Sequence, residues 1–400
     1  MKILIITPRI PYPPYRGDKL KIYNISKVLV KNNDVHLFTF YRNQNDFKDI
    51  DALKKLGLKL ITVKLSIIDS IINLFRAFFK KIPFQVAWYY SRKAEQKINA
   101  LLKDGNYDLV YYHLIRTAQY LPNYKANTKQ LNVIDLTDAV SLYLSRMFEK
   151  EKNFIKKIFI KSELNRVTEY EKIIENFDMI FICSEKDKKF LLEKNITKEI
   201  NILPNGLDLS YFSSECGEFD SNRIIFTGNM PYYANSDAVI YFIKEIFPFI
   251  LKKNSLAKFY IVGQKPPLKI KKLASENVIV TGFVEDIKSE YLKSAVNVAP
   301  MRFGAGTLNK IIESLALGVP IVASSIAVGG LPKELSKYIL VADNPAEFAE
   351  KVLYVLDNKE VRETVMNEAK NVVRNFLSWE VIVGNFEKTV KNKLAEKINE

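Results

Sequence analysis

The sequence predicts an α/β protein with two doubly wound domains, each built on a parallel β-sheet. The chain has 400 residues, which is too many for one ordinary core and suits two domains of roughly 150–200 residues. Its hydrophobic share of 48% is enough to fill two buried cores. Short apolar runs alternate with helical patterns along the chain, as they do where helices connect parallel strands.

The predicted strands form two sets, and each set is sufficient for a doubly wound sheet of its own. The first half contains six runs: Lys2–Thr7, Val35–Phe40, Leu60–Val63, Leu109–Tyr112, Leu131–Asp135 and Met179–Cys183. The second half contains another six: Arg223–Phe226, Lys258–Val262, Val278–Thr281, Val296–Ala299, Pro320–Ala323 and Ile339–Val341.

A domain boundary is expected between the two sets. The segment Ile202–Phe212 contains an Asn-Gly dipeptide, which is typical of a turn because both residues tolerate positive φ. We therefore expect an N-terminal domain over residues 1–200, a linker over 201–220 and a C-terminal domain over 221–375. Residues 376–400, which include Trp379, are expected to form a helix that crosses back to the first domain.

Composition restricts the environment and the partners. Two separated cysteines, Cys183 and Cys216, indicate reduced thiols rather than a disulfide framework, and two separated histidines add no metal site. No stretch of about 18 uncharged apolar residues occurs, so a cytoplasmic protein, soluble or peripheral at a membrane, is expected. Residues 1–212 contain 36 Lys and Arg against 23 Asp and Glu, a net charge of +13, whereas residues 213–400 contain 24 against 22. The first half is therefore the one expected to meet an anionic partner, although a lysine-rich solubilising surface explains the charge equally well.

The most informative motif is Pro300–Ser324, where a strand enters a glycine-rich loop and then a helix. Gly304 and Gly306 allow close approach of the backbone to a ligand, and the helix N-terminus that Thr307 can cap attracts phosphate. Lys310 can reach a pyrophosphate, and Glu313 is placed to accept hydrogen bonds from ribose hydroxyls.

At these residues the sequence resembles the family-4 retaining glycosyltransferases of GT-B fold, in the branch that acts on exopolysaccharide and other bacterial surface glycans. The resemblance implies two Rossmann-like domains facing each other across a cleft, with the donor on the C-terminal domain. It extends to the loop at Gly17, which opens a helix that could meet donor phosphate or acceptor, and to the donor-domain loop at Gly228. It also covers Leu203–Asp208 and Gly282–Asp286.

Two positions depart from the family pattern. Ala305 stands where many members carry a glutamate that contacts the sugar, so sugar contacts are expected from loop amides around Gly304–Thr307. The basic pair that many members hold in the first donor-domain loop is missing from Gly228–Asn235. Lys310 and Arg302 are the expected substitutes for phosphate contact.

Two residues of the first half are candidates for the acceptor side. His113 follows a predicted strand, where doubly wound sheets place ligands, and it matches the position of the family's cleft histidine. The resemblance implies that it orients the sugar or acceptor. Asp138 and Ser141 follow the next strand; a carboxylate there can take a proton from an acceptor hydroxyl, or it can cap the helix that begins at Ala139.

Two stretches of the first half have helical apolar periodicity with basic residues beside it. They span Ser66–Ile82 and Phe148–Ile160, and such helices can lie on anionic membranes or simply face a core.

Together these observations predict a glycosyltransferase of the hexosyltransferase type that moves a sugar, with retention, from a nucleotide diphosphate sugar to a glycan or lipid-linked acceptor in surface polysaccharide synthesis. His113, Asp138 and Lys310 are the expected catalytic residues, and neither a cofactor nor a metal is expected. A nucleotide-sugar epimerase of the same fold would not need the basic, amphipathic first half. A nucleic-acid-binding protein would explain the charge but not the Lys310–Glu313 motif, and the sequence contains no recognised nucleic-acid motif.

Overall fold

The computed structural model describes residues 1–122, 129–213, 217–303, 309–329 and 331–399. Their contacts divide the chain into two compact units. The first unit contains Met1–Pro204 and Ile382–Glu400, and the second contains Asn205–Val381. The chain passes from the first unit to the second within the segment expected to be a linker, close to the Asn-Gly dipeptide.

The first unit is built on a seven-stranded, wholly parallel sheet with the order β3-β2-β1-β4-β5-β6-β7. The strands are β1 Lys2–Ile6, β2 Asp34–Tyr41, β3 Lys59–Lys64, β4 Leu109–His113, β5 Leu131–Asp135, β6 Met179–Ile182 and β7 Ile200–Ile202. The α-helices are α1 Gly17–Leu29, α2 Asp46–Lys54, α3 Ile67–Lys80, α4 Phe84–Ala87, α5 Arg92–Asp104, α6 Val140–Lys150, α7 Phe154–Tyr170 and α8 Glu185–Leu192, and 3₁₀ helices span Ile115–Tyr120 and Glu171–Asn176.

The second unit is built on a six-stranded parallel sheet with the order β10-β9-β8-β11-β12-β13. The strands are β8 Asp220–Thr227, β9 Lys258–Val262, β10 Val278–Gly282, β11 Ser294–Ala299, β12 Ile321–Ala323 and β13 Ile339–Val341. The α-helices are α9 Tyr233–Tyr241, α10 Phe247–Lys253, α11 Leu268–Lys271, α12 Ile287–Leu292, α13 Asn309–Ala316, α14 Ser325–Val328, α15 Pro345–Asp357, α16 Lys359–Thr364, α17 Lys370–Leu377 and α18 Trp379–Asn399; a 3₁₀ helix spans Lys333–Tyr338, and π-helical turns span Phe242–Ile246 and Val365–Ala369.

Each sheet has a topological switch point, where strand order reverses and the loops from two neighbouring strands diverge. In the first unit it lies between β1 and β4, and in the second between β8 and β11. Both β4 and β11 are buried along their whole length, which is what covering both faces of a parallel sheet requires. Ligands of doubly wound folds bind outside the carboxyl ends of the strands at such points.

The C-terminal helix contributes to the core of the first unit. Phe386 of α18 packs edge-on against Tyr111 of β4 and against Phe181 of β6, with ring centroids 5.6 and 5.1 Å apart. Lys397 lies 2.9 Å from Asp178. Trp379, at the start of the same helix, contacts Gly206 of the second unit, where an added Cβ would lie 2.6 Å from the indole ring.

The prediction of two parallel-sheet α/β domains is confirmed. All twelve predicted strands are present, with ends that lie no more than three residues from the expected ones. The structure adds β7, a three-residue strand at the edge of the first sheet that pairs with β6. Three residues are too few for an alternating or apolar pattern, so this strand has little signal in the sequence.

Candidate functional site

Two glycines shape the carboxyl edge of the second sheet. Gly228 follows β8, and a Cβ added there would lie 2.7 Å from the side-chain nitrogen of Asn235. Gly263 follows the neighbouring β9, and a Cβ there would lie 1.8 Å from the carbonyl oxygen of Gly228. Any side chain at Gly263 would therefore push the two loops apart, and one at Gly228 would displace Asn235. The tight packing brings Asn235, in the first turn of α9, to the switch point.

Lys310, in the first turn of α13, places a buried ammonium at this edge. Its Nζ donates a hydrogen bond to Asn235 Oδ1 at 3.0 Å and lies 3.6 Å from the ring centroid of Phe226. Within the described residues, no carboxylate forms an ion pair with it. Burial lowers the pKa of Lys310 to about 7, and nearby Glu313 opposes only part of that shift. A desolvated ammonium with an amide and a ring for neighbours is well suited to an anionic ligand.

Glu313, one turn further along α13, is held by a chain of hydroxyl groups. Tyr291 Oη donates to Glu313 Oε2 at 3.0 Å, and Thr227 Oγ1 lies 2.5 Å from the same phenol oxygen. Because a phenol has one proton, and Tyr291 gives it to the carboxylate, Thr227 is the donor of the second bond. Burial raises the pKa of Glu313 to about 7, against the opposing effects of Tyr291 and Lys310. The half-buried carboxyl group is thereby oriented as an acceptor of hydrogen bonds.

Arg302 follows β11 and contacts α9, the helix that also carries Asn235. Its guanidinium group binds Asp237 of α9 through two nitrogens, with Nε 2.8 Å from Oδ2. The same group lies 4.9 Å from the ring centroid of Tyr241. Arg302 is therefore tied to α9, with one terminal nitrogen left outside the ion pair.

Four of the predicted donor-site residues are not described. Gly304, Ala305, Gly306 and Thr307 lie outside the described residues. Of the predicted donor site, the structure brings Gly228 and Lys310 together through Asn235, and it places Glu313 one helical turn from Lys310.

In the first unit, a buried ion pair lies beneath the switch point. Lys21 of α1 is fully buried, and its Nζ lies 2.7 Å from Asp135 Oδ1 and 2.9 Å from the carbonyl oxygen of Leu203. Tyr111 Oη donates to Asp135 Oδ2 at 2.5 Å. Burial alone would raise the pKa of Asp135, but Lys21 and then His113 hold it well below its ordinary value. The network fixes α1 to the ends of β4 and β5.

His113, at the end of β4, is 1% exposed, and its ring makes a hydrogen bond through Nε2, whereas Nδ1 has no hydrogen-bond partner in the part of the chain that the structure describes. Its Nε2 lies 2.9 Å from the carbonyl oxygen of Asp18, so Nε2 carries the proton because a carbonyl only accepts. Its Nδ1 lies 3.8 Å from Asp135 Oδ2. These contacts support the first turn of α1. The predicted contact with sugar or acceptor stays a prediction.

The two interpretations of Asp138 are now distinguishable. The helix after β5 begins at Val140, and its N-cap, Ala139, has no side-chain hydrogen bond. The amides at this end are instead satisfied by other carboxylates: Asp187 Oδ1 accepts from Ala139 N at 3.1 Å, and Glu171 Oε1 accepts from Ser141 N at 3.1 Å. The helix-cap interpretation of Asp138 therefore has no support in these contacts.

Ser141 and Asp138 therefore differ in whether their side chains are available to act on a ligand. The Ser141 hydroxyl donates to Glu171 and is fully buried. Asp138 is half-buried, and burial, followed by the charge of Asp187, raises its pKa to about 7. A carboxyl group with a pKa near the working pH is suited to general base catalysis.

Gly17, the first residue of α1, leaves open space at the first switch point. An added Cβ would meet no atom within 4 Å, and the N-cap residue Arg16 makes no side-chain cap hydrogen bond. The N-terminus of this 13-residue helix is thus open for a ligand.

Sequence reasoning missed several residues of both sites. Asn235 lies inside the donor-domain loop that begins at Gly228. Its amide side chain in that loop could have been predicted to belong to the site. Tyr291 and Lys21 had no comparable signal, because their partners are distant in the sequence. Asp135 ends a strand immediately before Asp138 and could have been considered with it.

Comparison with known proteins agrees with this arrangement. Residues 221–358 match the family model described as "Glycosyl transferases group 1", which covers most of the second unit and includes Gly228, Lys310 and Glu313. This segment is therefore similar to the glycosyl transferases group 1 domain.

Full-length relatives and solved structures extend the similarity to the first unit. An uncharacterized 44.6 kDa protein in the cps region of Klebsiella pneumoniae is 22% identical over 96% of this chain and 99% of its own. An uncharacterized glycosyltransferase of Methanocaldococcus jannaschii is 24% identical over 96% of each. Sucrose-phosphate synthase from Thermosynechococcus elongatus superposes with a TM-score of 0.72 at 14% identity, covering 99% of this chain and 100% of its own. Anabaena HepE in complex with UDP gives 0.66 at 12%, covering 98% and 100%. At these identities the solved structures show the fold, which is that of the GT-B glycosyltransferases.

Neither a group of three or more potential metal-ligating His, Cys, Asp and Glu side chains nor a helix long and apolar enough to span a bilayer occurs among the residues that the structure describes.

Proposed function

We propose that the protein transfers a sugar from a nucleotide diphosphate sugar to a glycan or lipid-linked acceptor in surface polysaccharide synthesis. The observation that carries the proposal is Lys310: a buried ammonium without a carboxylate partner among the described residues, at the switch point of a glycosyl transferases group 1 domain. A diphosphate would provide the missing negative charge. HepE, whose fold is similar, was solved with UDP.

In this proposal the second unit binds the donor. The Lys310 ammonium contacts the diphosphate, and the Glu313 carboxylate accepts hydrogen bonds from ribose hydroxyls. Arg302 adds a phosphate contact through the nitrogen that Asp237 leaves unoccupied. The loop that contains Gly304, Ala305, Gly306 and Thr307 would complete the site with backbone amides.

The chemistry follows from where charge develops. As the bond from the sugar to the diphosphate breaks, negative charge grows on the leaving phosphate, and Lys310 stabilises it in a site of low polarity. Neither a cofactor nor a metal is invoked in this step, and donor binding that persists in EDTA would support that part of the proposal. Retention and the hexosyl type of transfer are proposed on the resemblance to the family-4 enzymes. The anomeric configuration of the product, measured by NMR, tests retention.

The acceptor is proposed to bind to the first unit. Asp138, with its pKa near 7, would accept the proton of the attacking hydroxyl as the new bond forms. His113 would hold the first turn of α1, and with it Gly17, in position beside the acceptor.

The proposed place of action is the surface of an anionic membrane, on the cytoplasmic side. One face of α3 is apolar and exposed: Ile68, Phe75 and Phe79 are 70–71% exposed. Helix α7 also has exposed apolar side chains, among them Phe154, which is 75% exposed. Arg166 of α7 joins the two helices by donating to the carbonyl oxygens of α3 residues Ala77 and Phe78 at 2.6 and 3.2 Å.

Charge complements this apolar surface. The exposed basic side chains on or beside the two helices include Arg76, Lys80, Lys81, Lys150, Lys152, Lys156 and Lys161. Apolar side chains flanked by cations are typical of helices that lie in the interface of an anionic bilayer. A surface apolar patch of this extent is rare in a protein without a docking partner.

Vesicle binding tests the membrane proposal. Sedimentation with phosphatidylglycerol vesicles at low salt is expected to capture the protein, and the double substitution Phe75→Asp and Phe79→Asp is expected to abolish capture. Leu268→Asp is the matched control, because Leu268 is 72% exposed but lies in the second unit. Equal capture of all three proteins would overturn the proposal.

Calorimetric titration tests the donor proposal. UDP, GDP, ADP and CMP are each titrated into the protein, followed by sugar conjugates of the nucleotide that binds. We expect one nucleoside diphosphate to bind, and Lys310→Met to weaken it at least about tenfold, as expected for the loss of a charge-assisted contact. Glu313→Ala should weaken it as well, whereas the exposed Lys252→Met should not. Binding to none of the nucleotides, or binding that Lys310→Met leaves unchanged, would contradict the assignment.

A further inference from the structure

Three arginines surround the switch point of the first sheet. Arg9 follows β1, Arg16 precedes α1, and Arg116 follows β4. The guanidinium carbons of Arg9 and Arg116 lie 5.4 and 5.8 Å from the ring centroid of the buried Tyr89. Two loops that diverge from neighbouring strands thus bring like charges onto one aromatic ring. Such an arrangement is unfavourable unless an anion lies between them.

One carboxylate only partly balances this charge. Asp18 lies 2.6 Å from Arg9 Nη1 and 3.3 Å from Arg16 Nε. Burial alone would raise the pKa of Asp18, but Arg9, Arg16 and Arg116 lower it, so Asp18 is ionised at neutral pH. A second carboxyl group, Asp138, also acts on Arg116, and its pKa of about 7 makes it partly ionised at neutral pH. Three guanidinium groups against these two carboxyl groups still leave an excess positive charge of about +1 to +2 at the edge of the sheet.

Arg116 is the member of the group without a partner. Its Nε is buried and has no hydrogen-bond partner, and neither a hydrogen bond nor an ion pair of its side chain is found in the described part of the chain. Burial, followed by the charge of Arg9, lowers the pKa of Arg116. A guanidinium group offers five donors, and leaving a buried one such as Nε unpaired is costly. An anion bound here would accept hydrogen bonds from Arg116.

We propose that the carboxyl edge of the first sheet binds a phosphate group through Arg9, Arg16 and Arg116, and that the acceptor carries this phosphate. The second part rests on the proposed function; the first does not. A phosphate monoester carries a charge of about −1.5 to −2 at pH 7, which matches the excess positive charge here. Guanidinium groups bind phosphate oxygens in pairs, whereas a neutral sugar hydroxyl needs no such charge.

The helix beside the arginines favours the same ligand. The N-terminus of α1 begins at Gly17, where an added Cβ would meet no atom within 4 Å, so the first amides of the helix are accessible to a ligand. Aligned peptide dipoles give this end partial positive charge. The acceptor phosphate would then lie on the same edge of the sheet as Asp138, the proposed base, which follows β5 next to β4.

Titration of the full-length chain with inorganic pyrophosphate tests the site. Lys310→Met serves as the background, because it removes the proposed donor-phosphate contact of the second unit. In this background pyrophosphate should still bind, and adding Arg116→Gln or Arg9→Gln should weaken it at least about tenfold. Arg42→Gln is the matched control: Arg42 also lies over an aromatic ring of the first unit, at 5.1 Å from the centroid of Trp88, but that ring is not the one that Arg9 and Arg116 share.

A second pair of titrations separates the possible sources of the phosphate. Geranyl pyrophosphate represents a lipid-linked acceptor and UDP represents the donor, each titrated into the wild type and Arg116→Gln. Loss of geranyl pyrophosphate affinity with unchanged UDP affinity supports an acceptor site and a lipid-linked phosphate. Loss of inorganic pyrophosphate affinity alone supports the site with a water-soluble phosphorylated acceptor.

Two results would overturn the proposal. Pyrophosphate affinity that survives both Arg9→Gln and Arg116→Gln would remove the site. An equal fall of UDP affinity in Arg116→Gln would assign the arginines to the donor instead. Thermal unfolding of each variant, expected within a few degrees of the wild type, shows that a lost affinity does not reflect a lost fold. If no nucleotide binds the wild type but pyrophosphate binding depends on Arg116, the site stands while the proposed function fails.

Discussion

The two units each bury a lysine at the switch point of their sheet, and the two lysines have opposite surroundings. Lys21 lies 2.7 Å from Asp135, and although burial opposes it, this carboxylate raises the pKa of Lys21. Lys310 has the amide of Asn235 and the ring of Phe226, and burial lowers its pKa to about 7. A paired charge is satisfied by the fold itself, whereas an unpaired one must either lose its proton or bind an anion. From this difference we infer a structural role for Lys21, and it supports the proposed donor contact of Lys310.

The largest expected effect is the loss of stability when the buried ion pair of Lys21 with Asp135 is broken. Lys21→Met would leave Asp135 buried and uncompensated, so we expect the free energy of unfolding to fall by about 3–5 kcal/mol. Lys310→Met removes a charge that the fold does not pair, and it should change the free energy of unfolding by less than about 1 kcal/mol. Urea denaturation of both variants measures the difference.

The double variant Lys21→Met with Asp135→Asn is the control for that comparison. It removes both charges of the pair, so it should recover part of the stability that Lys21→Met loses. Equal losses for Lys21→Met and Lys310→Met would refute the distinction between a structural and a functional lysine.

The second effect concerns Asp138 and its carboxylate neighbours. If Asp138 is the general base, it must be ionised, and its pKa of about 7 predicts that kcat/KM falls as the pH drops through 7. Asp138→Asn should lower turnover about 10²-fold and remove this acid limb, with little change in stability because Asp138 caps no helix. A pH–rate profile on any accepted substrate measures both.

Asp187→Asn provides the contrast. Asp187 accepts the hydrogen bond from Ala139 N, so its loss should cost about 1 kcal/mol of stability, as expected for a helix cap. Because the charge of Asp187 helps to raise the pKa of Asp138, the acid limb should also move to lower pH in this variant. If the acid limb does not move in this variant, the pH dependence of kcat/KM belongs to a group other than Asp138.

The third effect follows from the lowered pKa of Lys310. Only the protonated ammonium attracts phosphate, and a bound phosphate raises its pKa. Above pH 7 binding must therefore take up a proton, and nucleotide affinity should fall by up to about tenfold per pH unit. Calorimetry in two buffers of different ionisation enthalpy measures the uptake. Lys310→Arg, which stays charged, should bind with a flatter pH profile. An equally steep fall of affinity in that variant would assign the titration to a group other than Lys310.

The fold could be predicted from the sequence because strands buried on both faces are apolar over their whole length. This holds for β4 and β11, and it fails for β7, whose three residues give no pattern. Lys310 and Glu313 were predicted because their spacing from Gly304 and Gly306 is local, so one helix determines where they lie.

The remaining site residues depend on contacts between distant parts of the chain. Asn235 and Lys310 are 75 positions apart, and Lys21 and Asp135 are 114 apart. In a chain with 60 Lys and Arg, nothing local distinguishes Lys21 or Arg116 from a lysine or arginine on the surface. The same reason explains the two interpretations of Asp138: the carboxylates that cap its helix, Asp187 and Glu171, come from later segments.

The smallest expected effect concerns Arg302. Like Lys21 it is paired with a carboxylate, and like Lys310 it is a proposed phosphate contact. Its ion pair with Asp237 is partly exposed, with 40% of the arginine side chain accessible, so Arg302→Gln should change stability by less than about 1 kcal/mol. As a phosphate contact it is weakened by that same carboxylate. We therefore expect Arg302→Gln to weaken nucleotide binding only a few-fold, about 1 kcal/mol or less. Asp237→Asn, which frees the guanidinium group, should strengthen it by a similar factor. Opposite changes of nucleotide affinity in the two variants, measured by the same titration, would identify Arg302 as a donor contact that its ion pair with Asp237 of α9 weakens. If neither variant changes the affinity, Arg302 only anchors the loop after β11 to that helix, and Lys310 is left as the cation that the second unit offers the donor.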